Sequence, residues 1–264
     1  DQCPYLRGAN WASSLELAIR LINWSLAWHT IGGVKSELFA GDAGNAFKAR
    51  WLANVYQHCH FIAGAFSRYS SANNHLIGEA AGLYVGATTW RIWNETDAWR
   101  DAAKSVLIAE AAAQNTGDGV NKEQAIAYQQ FVLDFLLIAA LHGRRDGDEF
   151  PAPYWHCIES MIEFIAALMD VSGNLPMIGD ADDGFAVQLS QEPEFCPFRS
   201  LLATGAVLFN RGDFARKAGK LDDKTRTLLG DNVQLNFTKL LASTDSPPQK
   251  QAFPEGGYYV LGSH

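Results

Sequence analysis

The sequence predicts an all-α fold, an α/α solenoid or toroid of serial helical hairpins. Three observations lead there. Apolar residues recur at three- and four-residue spacing through six long stretches between Leu15 and about Val171. The connections between those stretches are short and rich in Gly, Asp or Pro, which makes long helices antiparallel neighbours. Hydrophobic residues are 48% of the 264, enough for a substantial core and against disorder.

Asn10-Trp11-Ala12-Ser13-Ser14 supplies caps for a first helix running to about Ile31, and Gly32-Gly33 ends it. A second helix is expected from about Ala43 to Ser67. A third follows Asn73-Asn74 and continues to about Trp93. Thr96-Asp97 caps a fourth, which ends near Asn115-Thr116-Gly117-Asp118-Gly119. A fifth is expected from about Lys122 to Leu141, stopped by His142-Gly143. Pro151-Ala152-Pro153 opens a sixth, to about Val171. The texture then changes. Gly173 to Gly184 reads as loop, and Phe185 to Leu189 as a short strand. Short helices are expected at about Phe198–Leu208, Gly212–Ala218 and Asp222–Leu229. Thr244 to Gln251 reads as a linker and Gln251 to Leu261 as turn plus strand. A strand needs partners, so the domain reading is helices over 1–243, then a linker and the first strand of a β domain over 244–264.

The net charge of −8 argues against nucleic acid as the main partner, and an acidic polymer would need a local basic patch. Arg20, Arg68, Arg91, Arg144 and Arg145 are candidates, although Arg144-Arg145 beside Asp146-Gly147-Asp148 reads as a solvated loop. No apolar run approaches the roughly 18 residues of a membrane span. Eight Trp, eight Tyr and fifteen Phe can fill a core or stack on sugar rings. Trp11 and Trp90 are the candidate platforms. The four cysteines (Cys3, Cys59, Cys157, Cys196) form no CxxC pair and allow either disulfides or buried thiols. Neighbours on a helix point different ways, so His58-Cys59-His60 is a poor zinc site.

Three constellations could carry chemistry. Asn73-Asn74-His75, with Glu79 beyond, opens the third helix, where backbone N–H groups and the helix dipole suit an anion; Asn74 could equally be an N-cap alone. Glu123 and Tyr128 lie near the start of the fifth helix, Tyr128 about one and a half turns in. Gly179-Asp180-Ala181-Asp182-Asp183-Gly184 could make turns, act as acids or hold a structural divalent cation, but it lacks the closing Glu of an EF-hand. No cofactor is expected.

In order along the chain, Asn10-Trp11-x-x-Ser14-x-Glu16-x-x-x-Arg20, Asn74-His75, Glu123 with Tyr128, Pro176-x-x-Gly179-Asp180-x-Asp182 and Phe253-Pro254-Glu255-Gly256-Gly257-Tyr258-Tyr259 together resemble the heparinase II/III-like polysaccharide lyases. The resemblance implies an incomplete α/α toroid followed by a β-sandwich. It implies β-elimination on a uronate-containing polysaccharide such as heparan sulfate, alginate or a bacterial exopolysaccharide. By position, Asn74 and His75 would neutralise the uronate carboxylate and Tyr128 would act as base and acid at the scissile bond. A further His would come from the sandwich, here expected to be a missing partner domain. Trp11, Arg20, Glu79 and Glu123 would bind substrate, and the setting would be periplasmic or secreted. Two features depart from the family pattern. Many relatives carry Ser and His around the Tyr, where this chain has Ala125 and Gln129, and the sandwich itself is not in the sequence. Two other readings stay open: an inverting glycoside hydrolase drawing two carboxylates from Glu79, Glu123, Asp180, Asp182 and Asp183, and a non-catalytic glycan-binding or assembly protein.

Overall fold

The computed structural model describes residues 3–181, 184–244, 247 and 249–261. Among them are ten α-helices and one two-stranded hairpin, so the all-α class holds. The residues form two compact units. Unit 1 takes the described residues up to Glu110 with His142–Glu149, and unit 2 takes Ala111–Leu141 with those from Phe150 onward.

Unit 1 contains α1 (Ser14–Thr30), α2 (Gly41–Gly64), α3 (Asn74–Thr89) and most of α4 (Thr96–Gln114). Ser13 caps α1 by accepting from the Glu16 amide, and Leu17, Ala18, Leu21 and Ile22 form its buried face. That face lies against α3, whose residues Leu76–Thr88 are all buried. The helices touch at Gly82, where a Cβ would come within 2.4 Å of the Ala18 Cα. A glycine is required there because backbone occupies the space a side chain would need. The aromatic richness is core packing here. Trp28 meets Phe39, Trp51 and Trp90 at ring separations of 5.3–6.0 Å, and His58 sits between Trp11 (4.9 Å) and Trp24 (4.7 Å). Trp99, Ala103 and Leu107 give α4 a buried stripe at four-residue spacing.

Unit 2 contains most of α5 (Ile126–Asp146), then α6 (Ala152–Leu168), α7 (Pro197–Phe209), α8 (Gly212–Ala218), α9 (Asp223–Leu229) and α10 (Val233–Ala242). Strands β1 (Ala252–Phe253) and β2 (Tyr258–Tyr259) pair antiparallel, Ala252 with Tyr259 and Phe253 with Tyr258. Helix α7 packs against α6 and α8 around Ile162, Leu202, Ala206 and Phe214. Proline at its first position and Asn210 in the left-handed region (φ 56°) set its two ends.

Several expected boundaries move. Helix α3 stops at Thr89 rather than Trp93, because Trp90 leaves helical geometry and turns its ring into the aromatic core. Helix α5 starts at Ile126, not Lys122: residues 122–125 form a turn with Gln124 at φ 58°, and the Ile126 amide donates to the Ile178 carbonyl instead of continuing a helix. At its other end α5 runs through His142-Gly143 to Asp146, so Arg144 and Arg145 lie in its last turn, not in a loop. Residues 185–189 form no strand. Helix α10 lies outside the expected elements; it buries Phe237 and Leu240. The terminal strand finds its partner in β1. Contrary to the expectation that no apolar stretch approaches a membrane span, helix α5 is long and apolar enough to cross one by length and composition, and 78% of that stretch is buried within the protein. The four cysteines are free thiols.

Candidate active site

The residues singled out for chemistry fall into two groups, one in each unit. In unit 1, the loop after α2 leads to α3. Asn73, not Asn74, is the N-cap: its side chain accepts from the His75 amide at 3.1 Å. Asn74 is the first helical residue and is 5% exposed, while His75 beside it is exposed. Capping therefore does not account for Asn74. The first-turn N–H groups of α3 and the positive end of its dipole lie at this pair.

Glu79, one turn further along α3, is 1% exposed. Its carboxylate accepts from the Ser67 amide and the Ser67 hydroxyl, both at 2.6 Å. Burial pushes its pKa up, against the lowering effect of those hydrogen bonds and of His75. Both oxygens are thus committed to Ser67, in the loop that leads to Asn73 and the start of α3. Arg20 donates to the Asn10 carbonyl at 2.9 Å, and Trp11 is buried against Tyr5, His58 and Phe61. These two tie the Asn10 segment to the start of the fold. Trp90 is 2% exposed in the aromatic core. Arg91 pairs with Asp146, and Arg144 pairs with Glu149 at 2.9 Å.

In unit 2, Tyr128 is half-buried in the first turn of α5, not one and a half turns in. The turn before it is built by side chains. The Gln129 amide accepts from the Asn121 N–H at 2.8 Å and donates to the carbonyls of Gly119 (2.8 Å) and Met161 (3.2 Å). Asn121 in turn accepts from the Glu123 amide at 3.0 Å. Glu123 therefore belongs to this turn and not to the helix. Gly179 packs at φ 72° against Ala125, where a Cβ would lie 2.6 Å from its neighbour. That close approach uses the small Ala125. The two departures from the family pattern, Ala125 and Gln129, are thus both structural parts of the Tyr128 segment. The structural role of Gln129 comes from its bonds to Gly119, Asn121 and Met161, which leave no periodic signal in the sequence. Asp180 is exposed, and Asp182 and Asp183 lie outside the described residues. Among the described residues no three His, Cys, Asp or Glu side chains are gathered as a metal site would require.

The Heparinase II/III N-terminus family model matches residues 5–194. Heparin-sulfate lyase from Bacteroides stercoris is 30% identical over 139 residues, 51% of this chain and 20% of that protein. Heparin-sulfate lyase from Pedobacter heparinus is 26% identical over 138 residues, 52% of this chain and 20% of that protein. The chain thus spans about a fifth of the length of these curated relatives. The crystal structure of heparan sulfate lyase from Pedobacter heparinus superposes with a TM-score of 0.58 at 22% identity, covering 79% of this chain and 31% of that one. At that identity the likeness shows the fold, and it agrees with the helical toroid class read from the sequence. With the family model covering well over half its length, the chain belongs to the heparinase II/III family.

Proposed function

We propose that this chain carries part of the active site of a polysaccharide lyase that cleaves a uronate-containing polysaccharide, of the heparan sulfate type or a related acidic polymer, by β-elimination. The observation that supports the reading is that Asn73 caps α3, so capping is not what the buried Asn74 beside it does at the helix start. Both similar proteins being lyases of an acidic polysaccharide supports the reaction class.

The chemistry follows from the residue types. Removing the C5 proton next to a carboxylate creates a second negative charge beside the first. Donors at Asn74 and His75, with the first-turn N–H groups of α3, offset that charge. The Tyr128 phenolate takes the C5 proton, and the resulting phenol returns a proton to the departing C4 oxygen, so one side chain is base and then acid. In this reading Glu79 positions the Asn74 loop through Ser67, and Glu123 is presented by the turn before α5. Trp11 and Arg20 hold the segment leading into α1. A β-sandwich following residues 244–264 would supply the second His, and a polymeric substrate of this kind would be met in the periplasm or outside the cell.

The test is optical. Elimination makes a conjugated unsaturated uronate that absorbs in the ultraviolet. Full-length protein incubated with a panel of uronate polysaccharides should generate that absorbance. Tyr128→Phe should lower turnover by about 10²- to 10⁴-fold, the usual weight of a general acid–base group, with substrate binding retained. New reducing ends without absorbance would mean hydrolysis. A fully active Tyr128→Phe would remove Tyr128 from the mechanism.

A further inference from the structure

The hairpin at 252–259 and the turn at 115–125 hold each other by exchanged carboxylate–amide bonds, all within unit 2. Glu255 Oε2 accepts from the Gly117 amide at 2.9 Å. In return, Asp118 Oδ2 accepts from the amides of Glu255 (2.8 Å) and Gly256 (3.3 Å). The other Asp118 oxygen takes the Thr116 hydroxyl at 2.5 Å. Gln124 donates to the Gly256 carbonyl at 3.3 Å.

An apolar plug backs these bonds. Phe253 is fully buried, 5.0 Å from the Phe164 ring, and packs with Val120. Tyr258 reaches the same Phe164 at 5.1 Å. The glycines are demanded by the fit: a Cβ on Gly256 would lie 2.3 Å from Val120, and one on Gly119 would strike the Ser160 carbonyl at 2.1 Å. Glu255 and Gly256 of the hairpin therefore fit against Gly117, Asp118 and Val120 of the turn.

This turn is also the support of Tyr128. Gln129, adjacent to Tyr128 in the first turn of α5, is bonded to Gly119 and Asn121 in the clasped turn. We propose that Asp118 and Glu255 are positioning residues, forming a reciprocal clasp by which the hairpin fixes the turn and, through Gln129, the orientation of Tyr128. The proposal rests on Tyr128 acting at the scissile bond. The bonds need acceptor oxygens and not charge, so a neutral isostere should keep the clasp and a truncation should open it.

The experiment uses the full-length protein with two readouts. The first is backbone amide exchange over residues 115–128, which needs no activity. Glu255→Ala should raise exchange there at least ten-fold, and Glu255→Gln should restore most of the protection. The second is uronate elimination. Glu255→Ala should lower kcat about ten-fold with KM within two-fold of wild type, and Glu255→Gln should recover at least half of that loss. Gly256→Ala, which drives a methyl into Val120, should reproduce the Glu255→Ala pattern by a different route. Unchanged exchange in both Glu255→Ala and Gly256→Ala overturns the clasp, whatever the activity. Raised exchange with unchanged kcat overturns its positioning role. Absence of elimination by wild type would instead remove the lyase reading, while the exchange data still decide whether the clasp exists.

Discussion

The Glu79 carboxylate takes both hydrogen-bond donors of Ser67, amide and hydroxyl, at 2.6 Å each, from a side chain 1% exposed to solvent. This pair closes the loop between α2 and α3 and so determines where Asn73 and Asn74 begin the helix. Truncation to Ala leaves the Ser67 amide without its acceptor, and hydrogen bonds to a charged group are each worth about 1.5–3 kcal/mol. Glu79→Ala should therefore cost about 2–4 kcal/mol in urea unfolding. Glu79→Gln should cost under about 1 kcal/mol, since its amide still accepts from the N–H and donates to the hydroxyl. The pH dependence separates them further. The folded pKa of Glu79 is raised, burial outweighing its hydrogen bonds. Its contribution is thus fully present below the ordinary carboxylate range and is lost as pH rises through the raised value. The stability of Glu79→Gln relative to wild type should improve as pH rises from 4 toward neutrality. An advantage that shrinks over that range would contradict the burial argument.

His58 titrates in the opposite sense. Held between Trp11 and Trp24 and 3% exposed, its pKa falls to about 4, chiefly through burial, with its hydrogen bond to the Asn54 carbonyl opposing and Arg20 assisting. A lowered His pKa stabilises the fold fully above the unfolded value near 6.5 and loses that stability as pH falls toward 4. His142 is depressed to about 4 as well, first by burial and then by His29, Arg145 and Arg91. The melting temperature should drop steeply between pH 6.5 and 4, and His58→Phe should flatten part of that slope while keeping the ring packing. An identical pH–melting curve for His58→Phe would show that the imidazole does not carry the dependence.

Much of the helical architecture was legible because it rests on local rules. The Ser13 cap, the four-residue stripe of Trp99, Ala103 and Leu107, and the proline at the head of α7 each specify a boundary or a face without reference to anything distant. What the sequence concealed depends on long-range partners. Lys122 to Ala125 has the composition of a helix start, but Gln129 and the Ile178 carbonyl make it a turn. Trp11 looks like a sugar platform until Tyr5, His58 and Phe61 enclose it. Asn73 and Asn74 are indistinguishable as caps by type, and only the bond to the His75 amide assigns the role. The Asp118–Glu255 clasp joins segments 137 residues apart, beyond any periodic signal.

A buried ion pair inside unit 2 gives a prediction independent of function. Lys224 Nζ lies 2.5 Å from Asp134 Oδ1, the side chains 2% and 1% exposed, and Gln130 donates to the other Asp134 oxygen at 2.6 Å. Removing one partner of such a pair strands a charge and typically costs about 3–5 kcal/mol, whereas replacing both with apolar residues of similar volume is often neutral. Lys224→Met should lose about 3–5 kcal/mol by chemical denaturation, and Lys224→Met with Asp134→Leu should recover most of it. A double variant no more stable than the single one would mean that Gln130 and the surrounding polar side chains, not the pair, set the cost.

Asn74 offers the sharpest separation of folding from chemistry. Asn73 already caps α3, so exchanging Asn74 for Asp leaves the cap intact and adds negative charge at a helix N-terminus, which the dipole tolerates or favours. Stability should therefore hold within about 1 kcal/mol. Catalysis should not. If Asn74 neutralises the uronate as proposed, a carboxylate in its place would present like charge to the uronate and to the anion formed at C5, where a preorganised donor is worth about 10²–10³ in kcat. Asn74→Asp should lower elimination by at least that factor with its melting temperature near wild type, and Asn74→Ala should fall less in rate, since it removes a donor without adding repulsion. If Asn74→Asp retained wild-type turnover, the carboxylate-neutralising role would pass from Asn74 to His75 or to the α3 amides, and His75→Ala in the same absorbance assay would decide between them.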